Sequence, residues 1–183
     1  MKIEIKNRFS EKTILCGDYE SMKDCLEKNS SADLSYTDLH SADLRSADLH
    51  SANLRYANLR SADLSFANLR SANLSYASLS SANLRYANLR YANLRSADLR
   101  SADLSFTIIY GEKITKKPIQ LYGLKYEVMI LEKQIKIGCE LHDAKDWGKF
   151  KDLRISKMSS DAVDWWKIHK PIILGLHEEH VKK

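Results

Sequence analysis

Cys139-x2-His142 and His177-x2-His180 come nearest, in this chain of 183 residues, to a metal-binding pattern. Two donors in each of two pairs is the ligand count of tetrahedral zinc. Cys139, however, stands in an apolar run, and His177 and His180 lie near a charged chain end. The expected state is therefore a core thiol with surface histidines, with no metal and no cofactor. A phosphate-cradling glycine loop, a nucleophile elbow and a metalloprotease motif are all missing from the sequence, so no enzyme is expected. The other groups with chemistry to offer are cationic and aromatic. Arg60, Arg70, Arg90 and Arg100 could meet anions, and Tyr36, Tyr56 and Tyr76 or the pair Trp165-Trp166 could meet a partner protein or a second copy.

The elements that position these residues follow from one period. From Ser31 to Ser105 the pattern [Ser/Tyr/Phe]-[Ala/Thr]-[Asp/Asn/Ser]-Leu-[Ser/Arg/His] runs fifteen times without an insertion, and 106–110 reads as a decayed sixteenth copy. On an α-helix a residue every five places advances about 140° per repeat, so no apolar stripe forms. On a flat strand an odd period sends successive leucines to opposite faces. The recurring Asp, Asn and Arg would then be buried as well, at high cost. A coil that bends by a quarter turn every five residues satisfies both sets. Leu34, Leu39, Leu44, Leu49, Leu54, Leu59, Leu64, Leu69, Leu74, Leu79, Leu84, Leu89, Leu94, Leu99 and Leu104 then share one interior axis. The residue two before each leucine, Ala32 through Ala102 with Thr37 in one place, points the same way.

These residues resemble the pentapeptide-repeat family, with its A-[D/N]-L-x-x pattern. The resemblance implies a right-handed, four-sided parallel β-helix, a mainly β fold in which four repeats complete one lap and 31–110 make about four coils. Residue i then lies over i+20 at about the 4.8 Å spacing of paired strands. Tyr36, Tyr56 and Tyr76 form one aromatic ladder, and Phe66, Tyr86 and Phe106 a second, with Ser41, Ser61, Ser81 and Ser101 between them. Such ladders stiffen the rod by packing or serve as a platform. Arg alternates with Ser or His along three outward columns, and His50, Arg70, Arg90 alone breaks the alternation. Like charges about 5 Å apart repel by about 0.8 kcal/mol in water, so interleaving relieves each column.

Gly17 and Gly111 bracket the repeats with no glycine between them. Residues 1–30 are expected to be a β-hairpin-plus-helix cap, with strands near Ile3–Ile5 and Thr13–Cys16 and a helix over Tyr19–Lys28. Residues 111–183 are expected to form a small α+β domain. Its strands would be Pro118–Tyr122, Glu127–Leu131 and Gln134–Leu141. Its helices would be Asp143–Phe150, a piece at Asp152–Met158, and Ser160–His180 capped by Ser160 and kinked or split at Pro171. The run K-Y-E-V-M-I…I-G-C-E-L-H…W is similar to C-terminal modules of pentapeptide-repeat proteins carried by phages and prophages.

Net charge is +5, with eight Arg against seven Asp in the repeats and most of the excess in the tail. Three sparse cysteines and the lack of an apolar segment suit a soluble, cytoplasmic protein with no membrane association. The expected role is a non-catalytic scaffold that binds another protein, with the tail as cap and as partner or homodimer site. A DNA-mimicking regulator of a topoisomerase such as gyrase is the alternative that family precedent implies. The nearly neutral repeats, with Asn replacing Asp in the middle laps, weaken it. A nucleic-acid or other anion binder acting through the Arg columns is the third reading.

Overall fold

The computed structural model describes residues 1–182, in two compact units, Met1–Thr115 and a second that begins at Lys116. The first unit opens with strand β1 (Lys2–Lys6) antiparallel to β2 (Thr13–Asp18), which buries Ile3 and Ile5. Helix α1 (Met22–Lys28) follows, three residues later than the sequence predicts. The reason is Ser21, whose side chain accepts from the Asp24 N–H at 3.0 Å and so caps the helix there.

This hairpin and helix finish the first lap of the coil. The Arg8 N–H donates to the Tyr36 carbonyl, the Asp38 N–H to the Lys6 carbonyl, and the Asp48 N–H to the Glu27 carboxylate, at 2.7, 2.8 and 2.8 Å. Backbone groups that an open sheet edge would expose are thereby satisfied.

In the coil, parallel bridges join residue i to i+20, from Asp33–Asn53 through Asn83–Asp103. The Leu64 N–H donates onward to the Asn83 carbonyl, and the Asp63 N–H donates back to the Ala42 carbonyl, at 2.8 and 2.9 Å. Each flat stretch is so short that most pairing is single bridges. Named strands appear only at the end, where β3 (Asn88–Leu89) pairs parallel with β4 (Ile108–Ile109) and β4 antiparallel with β5 (Glu112–Lys113). The decayed copy 106–110 thus keeps the coil's register, and the first unit runs on past Gly111 to Thr115.

All fifteen repeat leucines are buried. The corners between flat stretches have a cause that the repeat pattern does not announce. The Ala42 N–H donates to the Leu39 carbonyl, closing a four-residue turn, and Ser41 has a φ of 56°. Positive φ at the third turn position alone marks a type II turn, which normally calls for glycine. Here Ser, Tyr or Phe fills it at every repeat from Tyr36 to Phe106. The lap-to-lap hydrogen bonds hold these residues in a costly region. Ser71→Val should therefore lower stability by about 1–3 kcal/mol in urea unfolding, whereas Ser71→Gly should leave it unchanged or raise it.

The second unit is an antiparallel meander, β6 (Ile119–Leu121), β7 (Val128–Ile130), β8 (Gln134–Ile137) and β9 (Glu140–Asp143). Helices α2 (Ala144–Lys149), α3 (Asp152–Ile155) and α4 (Ala162–Lys182) follow. The core gathers Val128, Ile130, Ile135, Ile137, Trp147, Ile155, Trp166 and Ile173. Two expectations change. The strand predicted over Gln134–Leu141 is two strands, because Gly138, at a φ of 57°, reverses the chain in a two-residue hairpin. The last helix is not split at Pro171 and does not start at Ser160. It runs unbroken from Ala162, with buried Trp166 and Ile173 holding the turns on either side of the proline to one core. Among the described residues, no helix is long and apolar enough to cross a membrane.

Candidate binding face

The metal-like residues do not converge. Cys139 is exposed at the β8–β9 hairpin tip, whereas His180 is buried near the end of α4, the reverse of the expected core thiol and surface histidine. The cause is the turn at Gly138, which carries Cys139 out of the apolar run. His177 Nε2 lies 3.1 Å from the Glu132 carbonyl oxygen. Burial pushes the His180 imidazole below its ordinary pKa. His142 belongs to another cluster, with Glu140 Oε2 at 2.8 Å and Arg154 Nη2 at 3.1 Å. Contacts from His142 and then Arg154 hold the Glu140 carboxyl below the usual range. No group of three or more His, Cys, Asp or Glu among the described residues could hold a metal ion.

The tryptophan pair divides. Trp166 is buried against Trp147 at 5.3 Å between ring centroids, so it cannot serve a partner. Trp165 is half-buried, stacked on His169 at 4.3 Å and edge-on to Tyr126 at 5.0 Å. Beside it, Asp161 accepts from Ser159, Tyr126 and Lys125. The Lys125 ammonium, then the Ser159 hydroxyl, hold this carboxyl far below the carboxylate range. A depressed pKa contributes stability that is complete above the unfolded value and is lost as pH falls through the folded one. Between about pH 6 and pH 2, the urea midpoint of the second unit should fall further in the natural protein than in Asp161→Asn.

In the coil, the Asp and Asn positions do work that the sequence pattern conceals. Each side-chain oxygen accepts the N–H two residues on, as Asp33 does from Ser35 at 3.0 Å and Asn88 from Arg90 at 3.0 Å. Where Asn follows Asp one lap later, its amide donates back. Asn53 reaches Asp33 at 2.7 Å, Asn58 reaches Asp38 at 2.8 Å and Asn68 reaches Asp48 at 2.9 Å. Where Asp63 lies over Asp43, Arg45 binds Asp43 through two nitrogens at 3.0 and 2.9 Å and reaches Asp63 at 3.9 Å. Asp thus stacks directly on Asp at Asp43 and Asp63 alone, where Arg45 lies between the charges, and elsewhere in the columns Asn or Ser separates the carboxylates. Detecting this needs the twenty-residue register and not the five-residue phrase.

The aromatic ladders stack with centroids 4.8 Å apart, the spacing of paired strands. Their surroundings differ. Tyr36 and Tyr56 are half-buried, Tyr36 edge-on to Phe9 at 6.1 Å, with Arg55 over Tyr56 at 4.7 Å and over Tyr76 at 5.8 Å. In the other ladder Arg85 lies over Tyr86 and Phe106 at 5.7 Å and Phe106 is half-buried, but Phe66 is 60% and Tyr86 43% exposed against 37% for Tyr76, and Tyr91 stands 63% exposed one repeat further on. Sequence reasoning overlooked Tyr91. Its signal was an aromatic in an otherwise all-serine column of 31, 51 and 71.

The four arginines singled out fall on two sides of the lap. Arg60 and Arg100 share one column, and Arg100 grips Asp98 at 2.8 and 2.7 Å. Arg70 and Arg90 share a column half a lap away, make no ion pair among the described residues, and lie over the Tyr91 ring at 5.9 and 5.0 Å. The repeat that joins the open ladder to this column, from Phe66 to Arg70 and from Tyr86 to Arg90, collects exposed rings and uncompensated cations. Within these repeats the one carboxylate is Asp48, 3.0 Å from His50 Nδ1, and the Glu27 carboxylate accepts the Asp48 N–H at the first lap.

Bridges from i to i+20 and a buried leucine in every repeat make this unit a repeat solenoid. Residues 30–60, 47–85 and 77–111 match a family model described as Pentapeptide repeats, in eight copies. Among solved structures the chain is similar to HetL, a pentapeptide repeat protein involved in heterocyst differentiation regulation from the cyanobacterium Nostoc. Identity is 39% over 48% of this chain and 46% of that one, with a TM-score of 0.27. It is also similar to a pentapeptide repeat protein of the Arabidopsis thaliana thylakoid lumen, at 28% identity over 40% of this chain and 58% of that one, with a TM-score of 0.24. QnrB1, a plasmid-mediated fluoroquinolone resistance protein, matches at 27% identity over 38% of this chain and 39% of that one, with a TM-score of 0.17. The chain thus spans between about two fifths and three fifths of these relatives. No curated protein matches it.

Proposed function

We propose that this is a non-catalytic scaffold whose repeats form a right-handed, four-sided β-helix that binds another protein in the cytoplasm. The carrying observation is the face on which Phe66, Tyr86 and Tyr91 stay open beside Arg70 and Arg90. Aromatic and arginine side chains are the usual energetic centres of protein interfaces. A rod fixed by lap-to-lap hydrogen bonds presents them with little ordering cost. The second unit, read as a module of the kind carried by phage and prophage pentapeptide-repeat proteins, serves in this proposal as a second partner or self-association site through Trp165.

The topoisomerase reading would need a strongly negative surface. The Asp ladders are tied to Asn and Arg instead, which lowers that potential. The test is affinity capture from a bacterial lysate with the full chain, alongside a gyrase supercoiling assay. One partner retained in stoichiometric amount is the expected result. No partner, together with a monomer at high concentration, overturns the proposal, and inhibition of supercoiling at micromolar protein moves the assignment to the DNA mimic.

A further inference from the structure

We infer that the face between the Phe66–Tyr86 ladder and Tyr91 docks an extended acidic segment of a partner protein, with carboxylates on alternate residues meeting Arg70 and Arg90. This deepens the scaffold reading and rests on it.

Charge points to the occupant. In the other three outward columns Arg alternates with Ser or His, and several of those guanidiniums are held by Asp43, Asp98 or Asp103. Arg70 and Arg90 occupy consecutive laps, and their repeats carry Asn68 and Asn88 where a neutralising Asp could stand. Those Asn oxygens already accept the N–H groups of Arg70 and Arg90, at 3.3 and 3.0 Å. Two like charges one lap apart repel, and an incoming pair of carboxylates removes the repulsion while gaining charge-assisted hydrogen bonds.

Geometry points to an extended chain. Laps repeat at 4.8 Å along the ladder. Same-side residues of an extended strand lie about 6.6–6.8 Å apart, a difference that long Arg side chains absorb. The opposite, apolar side chains of such a segment point across the face, where Phe66 and Tyr86 stay open. Tyr91 is held in the face by the same two guanidiniums, so ring and cations are presented together. A nucleic-acid strand would also meet the cations, and the test separates it.

The probes are a fluorescein-labelled ten-residue peptide of alternating Glu and Leu, the same peptide with Lys for Glu, and a labelled oligo-dT of twenty nucleotides. Fluorescence polarisation is read with the full chain at low salt. The Glu peptide should bind, the Lys peptide should not, and the Glu peptide should bind more tightly than the oligonucleotide. Arg70→Glu with Arg90→Glu should weaken the Glu peptide about tenfold or more, with the thermal melt unchanged. Arg60→Glu with Arg95→Glu, which changes the same number of charges elsewhere on the coil, should weaken it less than about threefold. Equal loss in both double variants, tighter binding of oligo-dT, or no binding of the Glu peptide overturns the assignment. If Arg70→Glu with Arg90→Glu still retains the lysate partner, the face is wrong and the scaffold reading stands. If the natural protein retains none, the scaffold reading itself fails.

Discussion

Leu64→Ala should destabilise the first unit by about 3–5 kcal/mol, read as a lower urea midpoint with little change in slope. Leu64 is fully buried in an interior lap. The chain on both sides of it is pinned, because its own N–H donates to the Asn83 carbonyl and the Asp63 N–H donates to the Ala42 carbonyl. A wall held by lap-to-lap hydrogen bonds cannot collapse inward, so the loss of transfer energy is joined by a nearly unrelaxed cavity. The lap also has neighbours on both sides. In a stack where stability is a sum of units and interfaces, a central defect weakens two interfaces at once. Ser61→Ala, an exposed change in the same lap, should fall within about 0.5 kcal/mol of the natural protein. If Leu64→Ala costs no more than Ser61→Ala, the leucines do not share a packed axis.

That axis was legible in the sequence because five-residue spacing defeats both ordinary periodicities, leaving one geometry in which the leucines meet. The candidate face was only half legible. The break in alternation at His50, Arg70, Arg90 is visible in the letters. Whether those cations are compensated depends on which carboxylates lie one lap away. Tyr36, Tyr56 and Tyr76 looked equivalent to Phe66, Tyr86 and Phe106 as ladders. Each ladder has an arginine over it, Arg55 on the first and Arg85 on the second, but Phe9 also lies edge-on to Tyr36, and that contact comes from a segment distant in sequence. The second unit failed differently. One glycine with positive φ divided a predicted strand and moved Cys139 from core to tip, whereas a proline that ordinarily ends a helix was carried through by packing on both sides of it. Local preference decided the first case and tertiary contacts decided the second.

Trp147→Ala should cost the second unit about 3–5 kcal/mol, enough to unfold a small domain of marginal stability. Trp147 is buried where α2 meets the sheet, with Phe150 at 5.3 Å, Trp166 at 5.3 Å and His142 at 5.4 Å between ring centroids. Its Nε1 donates to the Ile135 carbonyl at 2.7 Å, tying the helix to β8. Trp147→Phe separates the two contributions. Most of the ring packing survives, but a buried carbonyl loses its donor, for a cost of about 1–3 kcal/mol. Each unit has its own core, so Trp147→Ala should remove the second unit's transition and leave the first unit's midpoint unchanged, while Leu64→Ala does the reverse. Tryptophan fluorescence follows the second unit alone, because Trp147, Trp165 and Trp166 all lie within it. A shift of both transitions by either substitution would show that the two cores unfold as one.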